Sequence, residues 1–192
     1  MGQFDNIRPY HDHEVAEVLQ RLVANPEFLN TIARYRFPAL AKNFSWLVRP
    51  LISYSLRKEL ATINTVADLQ ARIAPYVENS VKRATDGISF SGIEHLSADE
   101  PRLYFSNHRD IVMDPAYVNY ALFQSQLNTP RLAIGDNLLS RPFVSDLMRL
   151  NKSFIVQRSV SGRREKLNAF MQLSGYINHS ITQEKQSIWI AQ

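Results

Sequence analysis

The chain has 192 residues, of which 45% are hydrophobic and 21% charged, enough apolar content for one sizeable core and too much for a disordered segment. It has no cysteine, which excludes a disulfide framework, a thiolate metal site and a cysteine nucleophile, and suits a reducing, cytoplasmic setting. The net charge of +4 is modest, so where the charges fall says more than their sum.

The first residues, MGQFDNIRPYHDHE, carry no apolar run behind a basic stretch and do not read as a secretory signal. Asn6 stands where myristoylation of Gly2 would want serine or threonine. Val15, Val18, Leu19 and Leu22 recur at helical spacing and predict a first helix. Asn25-Pro26 and Phe37-Pro38 break the chain, and a further helix is expected over 39–60. Thr65 opens another, reaching about residue 84, with Asp68 three positions on in a capping-box pattern. Residues 1–85 therefore read as a helical region.

Within it, the segment 28–58 carries Arg34, Arg36, Lys42, Arg49, Arg57 and Lys58 with no acidic residue between them, and adds Tyr35, Phe37, Phe44, Trp46 and Tyr54. Cations mixed with amphipathic aromatics suit the headgroup boundary of an anionic bilayer. The same composition also suits a helix that packs its apolar face on the domain and shows its charges to water. No run approaches the ~18 apolar residues of a membrane-spanning helix, since Arg49 and Pro50 split the best candidate. No helix-turn-helix, zinc-ligand or RNA-binding aromatic signature accompanies the charge, so nucleic acid is not an expected partner.

From Asp86 short β-type runs alternate with helical ones. Strands are expected at 88–90, 102–106, 131–134, 153–156 and 187–190, and helices at 115–126, 142–150 and 162–182. In the last helix Leu167, Phe170, Met171, Ile177 and Ile181 fall close to one stripe. This alternation predicts an α/β fold for residues 86–192, with a largely parallel sheet and flanking helices, preceded by the helical region.

The densest chemical signal is LYFSNHRDIVMDP, where an apolar strand runs into Asn107, His108, Arg109 and Asp110. Ligands of open α/β sheets bind beyond the carboxyl ends of the strands. Neutral imidazole can take a proton from a hydroxyl while a carboxylate fixes its tautomer. The residues also allow a plainer account, with Asp114-Pro115 as a helix cap and first helical position, Asp110 paired with Arg109, and His108 as a turn residue. HRD occurs in the catalytic loop of protein kinases too, but Pro115 replaces the required asparagine and no glycine-rich loop or DFG is present. No GxSxG or cysteine supports a hydrolase. A metal site would need more converging ligands, and His11 and His13 lie in the separate helical region.

SNHRDIVMD resembles the first block of the glycerolipid acyltransferases, the family of lysophosphatidic acid and glycerol-3-phosphate acyltransferases, whose pattern is Asn-His, four residues, then Asp. Here five residues separate His108 from Asp114; either Asp114 plays the family aspartate, the preferred assignment, or Asp110 has taken the role. GDNLLSRPFVSDLMRLNKSFIVQRS is similar to the family's second region, with Asn137-Leu138, Pro142-Phe143 and Phe154-Ile155-Val156-Gln157-Arg158 at matching places. Lys152 stands where the family usually has glycine and Gln157 where it often has aspartate. The resemblance covers about 86–192.

It implies transfer of a fatty acyl group from acyl-CoA or acyl carrier protein to a hydroxyl of glycerol 3-phosphate or a lysophospholipid, at the cytoplasmic face of a membrane that the chain binds peripherally. His108 would be the general base, with Asp114 or Asp110 orienting it and Asn107 shaping the loop or donating to oxyanion charge. Arg158 would bind phosphate, with Arg109 and Lys152 as further substrate-binding cations. No metal or organic cofactor is implied. The family's third block, a strand followed by a Glu-Gly element, should come directly after SIWIAQ, so the expectation is an amino-terminal part of a longer enzyme. The rival expectation is a non-catalytic membrane-surface module that recognises anionic phospholipid headgroups.

Overall fold

Leu103–Ser106 (β1), Arg131–Gly135 (β2), Ser153–Val156 (β3) and Ile188–Ala191 (β4) are short runs, rich in apolar and aromatic residues, that pair as one sheet in the computed structural model, which describes residues 2–43 and 45–191. All pairings are parallel and the strand order is β1-β4-β2-β3, so β4 fills the place between β1 and β2. Parallel neighbours need long crossovers. Met113–Gln124 (α6), Pro142–Leu150 (α7) and Arg163–Thr182 (α8) lie in the three connections. The α/β reading with a parallel sheet and flanking helices holds. All four carboxyl ends then lie along one edge of the sheet.

One corrected element is 88–90, which joins no strand. Its three residues lie between Gly87 and Gly92, both at positive φ, and Phe90 instead sits 6.1 Å from the ring of Tyr120. The stripe expected on α8 also divides. Ile177 and Ile181 pack with buried Ile7, Phe154, Tyr176 and Ile188, whereas Leu167, Phe170 and Met171 are exposed. Tyr176 and Ser180 define the buried face instead, about a third of a turn from the apolar stripe. The reason is polar: Arg131 of β2 donates to Ser180 Oγ at 2.8 Å and pairs with Glu184. Burying that arginine requires both partners.

The chain packs as two units, and each is discontinuous in sequence. The unit that contains the sheet, α6 and α8 holds residues 1–9, 71–138 and 152–192. Its amino-terminal segment belongs to the sheet: Phe4 packs edge-on to Tyr176 at 5.5 Å, and Ile7 O accepts from Ile155 N at 2.9 Å, satisfying a donor of the edge strand β3.

The second unit holds residues 10–70 and 139–151. Asp12–Ala24 (α1), Pro26–Arg36 (α2), Pro38–Asn43 (α3), Ser45–Leu60 (α4) and the start of Val66–Ala84 (α5) form it with α7. Two helices thus replace the single one expected over 39–60; Phe44 lies outside the described residues. Asn25 Oδ1 caps α2 by accepting from Glu27 N and Phe28 N at 2.9 and 3.0 Å, and Pro26 needs no donor at its first turn. The predicted Thr65/Asp68 box forms reciprocally: Asp68 N donates to Thr65 Oγ1 at 3.1 Å and Thr65 N to Asp68 Oδ2 at 3.0 Å. Val15, Val18, Leu19 and Leu22 are buried as their spacing requires, against Phe28, Ile52, Leu56, Phe143 and Leu150. Buried Asp146 of α7 takes Arg21 through both carboxylate oxygens, at 2.8 and 2.9 Å, and the Tyr10 hydroxyl at 2.7 Å.

Candidate active site at the carboxyl edge of the sheet

β1 ends at Ser106, and the next eight residues carry Asn107, His108, Arg109, Asp110 and Asp114. Two carboxylates knit this turn together. Asp110 Oδ1 accepts from Val112 N and Met113 N, both at 2.8 Å, and so caps α6 from outside. Asp114 Oδ2 reaches back to accept from Arg109 N at 2.7 Å and Asp110 N at 2.9 Å, and stands 3.1 Å from His108 Nδ1. The helix starts at Met113 with Val112 as its cap residue, so Asp114 is not the cap that Asp-Pro suggests. Its place in the first turn still favours a negative charge.

This geometry fixes the imidazole. An ionised carboxylate can only accept, so neutral His108 carries its proton on Nδ1 and a lone pair on Nε2. Hydrogen bonding from Asp110 N, foremost, and from Arg109 N and His108 outweighs partial desolvation and holds the Asp114 carboxyl below its ordinary range. The Met113 and Val112 amides do the same for Asp110. Of the two aspartates, Asp114 is the one in contact with His108. Asn107 is exposed beside it, and Arg109 is exposed with no carboxylate paired to its side chain among the described residues.

Two strands along the same edge, β2 and β3 end in Gly135-Asp136 and Gln157-Arg158-Ser159. Asp136 Oδ1 accepts from Arg158 N at 3.0 Å and from Ser159 Oγ at 3.0 Å, while Oδ2 accepts from Ser159 N at 3.1 Å. Partial desolvation alone would raise the Asp136 pKa; these bonds and one from Asn137 N reverse the sign and hold it low. The Arg158 side chain lies over Gly135, where an added Cβ would stand 3.2 Å from Arg158 Cδ and collide with Asn137 Oδ1. β4 and β2 separate β1 from β3, so the strand ends carrying His108 and Arg158 are roughly 14 Å apart at ~4.8 Å per strand.

Lys152 is not brought to this edge. It immediately precedes β3, at the amino edge of the sheet, where its Nζ donates to Thr129 O at 3.2 Å. Its φ of 60° is left-handed, which accounts for glycine being usual at such a place. Gly135 and Asp136, in contrast, reach this edge without being among the matched positions that the sequence singles out. Their signal is a polar Gly-Asp-Asn directly after a strand, the same arrangement that made Asn107-His108 conspicuous.

Residues 87–191 match the family model described as Acyltransferase, more than half of the chain. No curated protein and no solved structure matches it. The matched stretch contains the whole sheet, the turn with His108 and Asp114, and the loop with Arg158. The chain belongs to the acyltransferase family, that of the glycerolipid acyltransferases.

Proposed function

We propose that the protein moves a fatty acyl group from acyl-CoA or acyl carrier protein to a free hydroxyl of glycerol 3-phosphate or lysophosphatidate. The observation that carries this reading is the contact between His108 Nδ1 and Asp114 Oδ2 at the carboxyl end of β1, inside the acyltransferase match. His108 Nε2 takes the acceptor's hydroxyl proton as the oxygen attacks the thioester carbonyl. The tetrahedral intermediate then expels the thiolate, which recovers that proton from the imidazolium, leaving an ester and a free thiol. Asp114 holds the ring and stabilises its positive charge in between. Asn107, beside His108, is a donor for the oxyanion. Arg158 grips the acceptor's phosphate through two N–H groups, and Arg109 adds positive charge at the same edge.

We infer in addition that the helical unit rests on the cytoplasmic face of a membrane. Trp46, Leu51 and Tyr54 are 69%, 71% and 73% exposed and fall on one side of α4, with Arg57 and Lys58 on the same arc. Tyr35 of α2 and Arg34 beside it are exposed as well. Such surfaces seat in the headgroup layer. No helix among the described residues is long and apolar enough to cross a membrane.

The test is transfer from radiolabelled acyl-CoA and, separately, acyl carrier protein to glycerol 3-phosphate and to lysophosphatidate, using the full-length protein on vesicles. Labelled phospholipid from one of these pairs is the expected result; no product from any pair, with vesicle binding intact, would favour a non-catalytic lipid-binding role.

A further inference from the structure

We propose that Asp136 is a positioning residue for Arg158, fixing the loop after β3 so that the guanidinium is held out over Gly135 at the carboxyl edge of the sheet. The inference rests on Arg158 as the phosphate-binding residue.

Three observations carry it. Asp136 follows β2 directly and reaches across to the end of β3, a span of 22 to 23 positions in sequence, for every bond to Arg158 N, Ser159 N and Ser159 Oγ. The bonds converge on the backbone of Arg158 and its neighbour, which sets where the side chain leaves the loop. Gly135 supplies the floor: Arg158 Cδ and Nε would stand 3.2 and 3.4 Å from a Cβ there, so the arginine lies against bare backbone. A larger residue would lift it.

The chemistry of the carboxylate matters as much as its place. An aspartate beside a phosphate-binding arginine would ordinarily pair with the guanidinium and compete with the phosphate. Asp136 does not, because its oxygens are occupied by donors of the β3–α8 loop and by Asn137 N. No carboxylate is paired with the Arg158 guanidinium among the described residues. The loop is thus tied by a negative charge without the arginine being neutralised.

The experiment has two readouts on the full-length protein. The first is the order of the Arg158 Nε–Hε group by NMR without ligand, assigned by its loss in Arg158→Lys, in wild type and in Asp136→Ala, Asp136→Asn, Ser159→Ala and Gly135→Ala. The second is calorimetric affinity for glycerol 3-phosphate against glycerol. Wild type should show a restricted Nε–Hε group and prefer the phosphate ester. The Asp136 variants should free the group and weaken phosphate-ester binding roughly 10- to 100-fold, with glycerol unaffected. Ser159→Ala, which removes one bond, gives a smaller change of the same sign and serves if the Asp136 variants do not fold. Unchanged Nε–Hε order in folded Asp136→Ala or in Ser159→Ala overturns the proposal. Loss of order without any phosphate preference in wild type upholds the positioning role and removes the phosphate assignment of Arg158.

Discussion

Asp114 Oδ2 accepts from two successive backbone amides, Arg109 N and Asp110 N, while standing 3.1 Å from His108 Nδ1. One oxygen therefore shapes the turn and orients the histidine at once. That dual use is how an aspartate separated from the histidine by five residues, rather than four, still meets the ring: the intervening turn folds back on the carboxylate, and Asp110 secures its far side through Val112 N and Met113 N.

The two aspartates should then separate on substitution. Asp114→Asn keeps one acceptor oxygen for the turn but removes the negative charge that holds the Nδ1–H tautomer and stabilises the imidazolium, and should lower the acyl-transfer rate roughly 10²- to 10⁴-fold. Asp110→Asn keeps an acceptor for the α6 cap and should cost about tenfold or less. Steady-state kinetics on the two variants decide it; a larger loss at Asp110 would reverse the assignment.

The pH dependence follows from the same bonds. Asp110, Asp114 and Asp136 all sit below the ordinary carboxylate range, which centres on about 3.9. A depressed folded pKa contributes stability that is complete above the unfolded value and is lost as pH falls through the folded one. These groups therefore add no slope to stability between about pH 5 and 7 and begin to withdraw it only below about 3.9. Carboxyl ¹³C titration should give three midpoints under that value; a midpoint above it at Asp114 would mean the turn is not bonded as described.

Much of this was legible in the chain. Val15, Val18, Leu19 and Leu22 announced their buried face, and the four sheet strands fell within a residue or so of their expected places, because local spacing determines both. What escaped depends on partners distant in sequence. The run at 88–90 has strand composition but no neighbour to pair with. The α8 stripe was rotated because Arg131, 49 positions before Ser180, dictates which face is buried. Asp136 has no motif of its own in the sequence, and its bonds to the end of β3 exist only once β2 and β3 are paired.

The divided stripe gives a stability test. Phe170→Ser and Met171→Ser, on the exposed arc of α8 at 65% and 66% exposure, should each change stability by about 0.5 kcal/mol or less. Tyr176→Ala, at 1% exposure, should cost about 3–5 kcal/mol. Denaturant midpoints measure all three; a cost of core size at Phe170 would restore the stripe first expected.

The proposed membrane docking has a built-in reporter. Of the two tryptophans, Trp189 is 3% exposed and Trp46 is 69% exposed, so emission changes on adding vesicles should come from Trp46. Anionic vesicles should shift its emission to the blue and neutral ones much less, and the shift should shrink in Arg57→Glu/Lys58→Glu. No shift with anionic vesicles would remove α4 from the membrane surface.

The proposed reaction depends on His108 as its base. The most direct measurement is the rate of labelled acyl transfer to the acceptor hydroxyl by full-length wild type and by His108→Ala, each checked to be folded and to bind vesicles equally. Transfer by wild type that falls by at least about 10²-fold in the variant is the expected result, and transfer that survives the loss of the imidazole would contradict it.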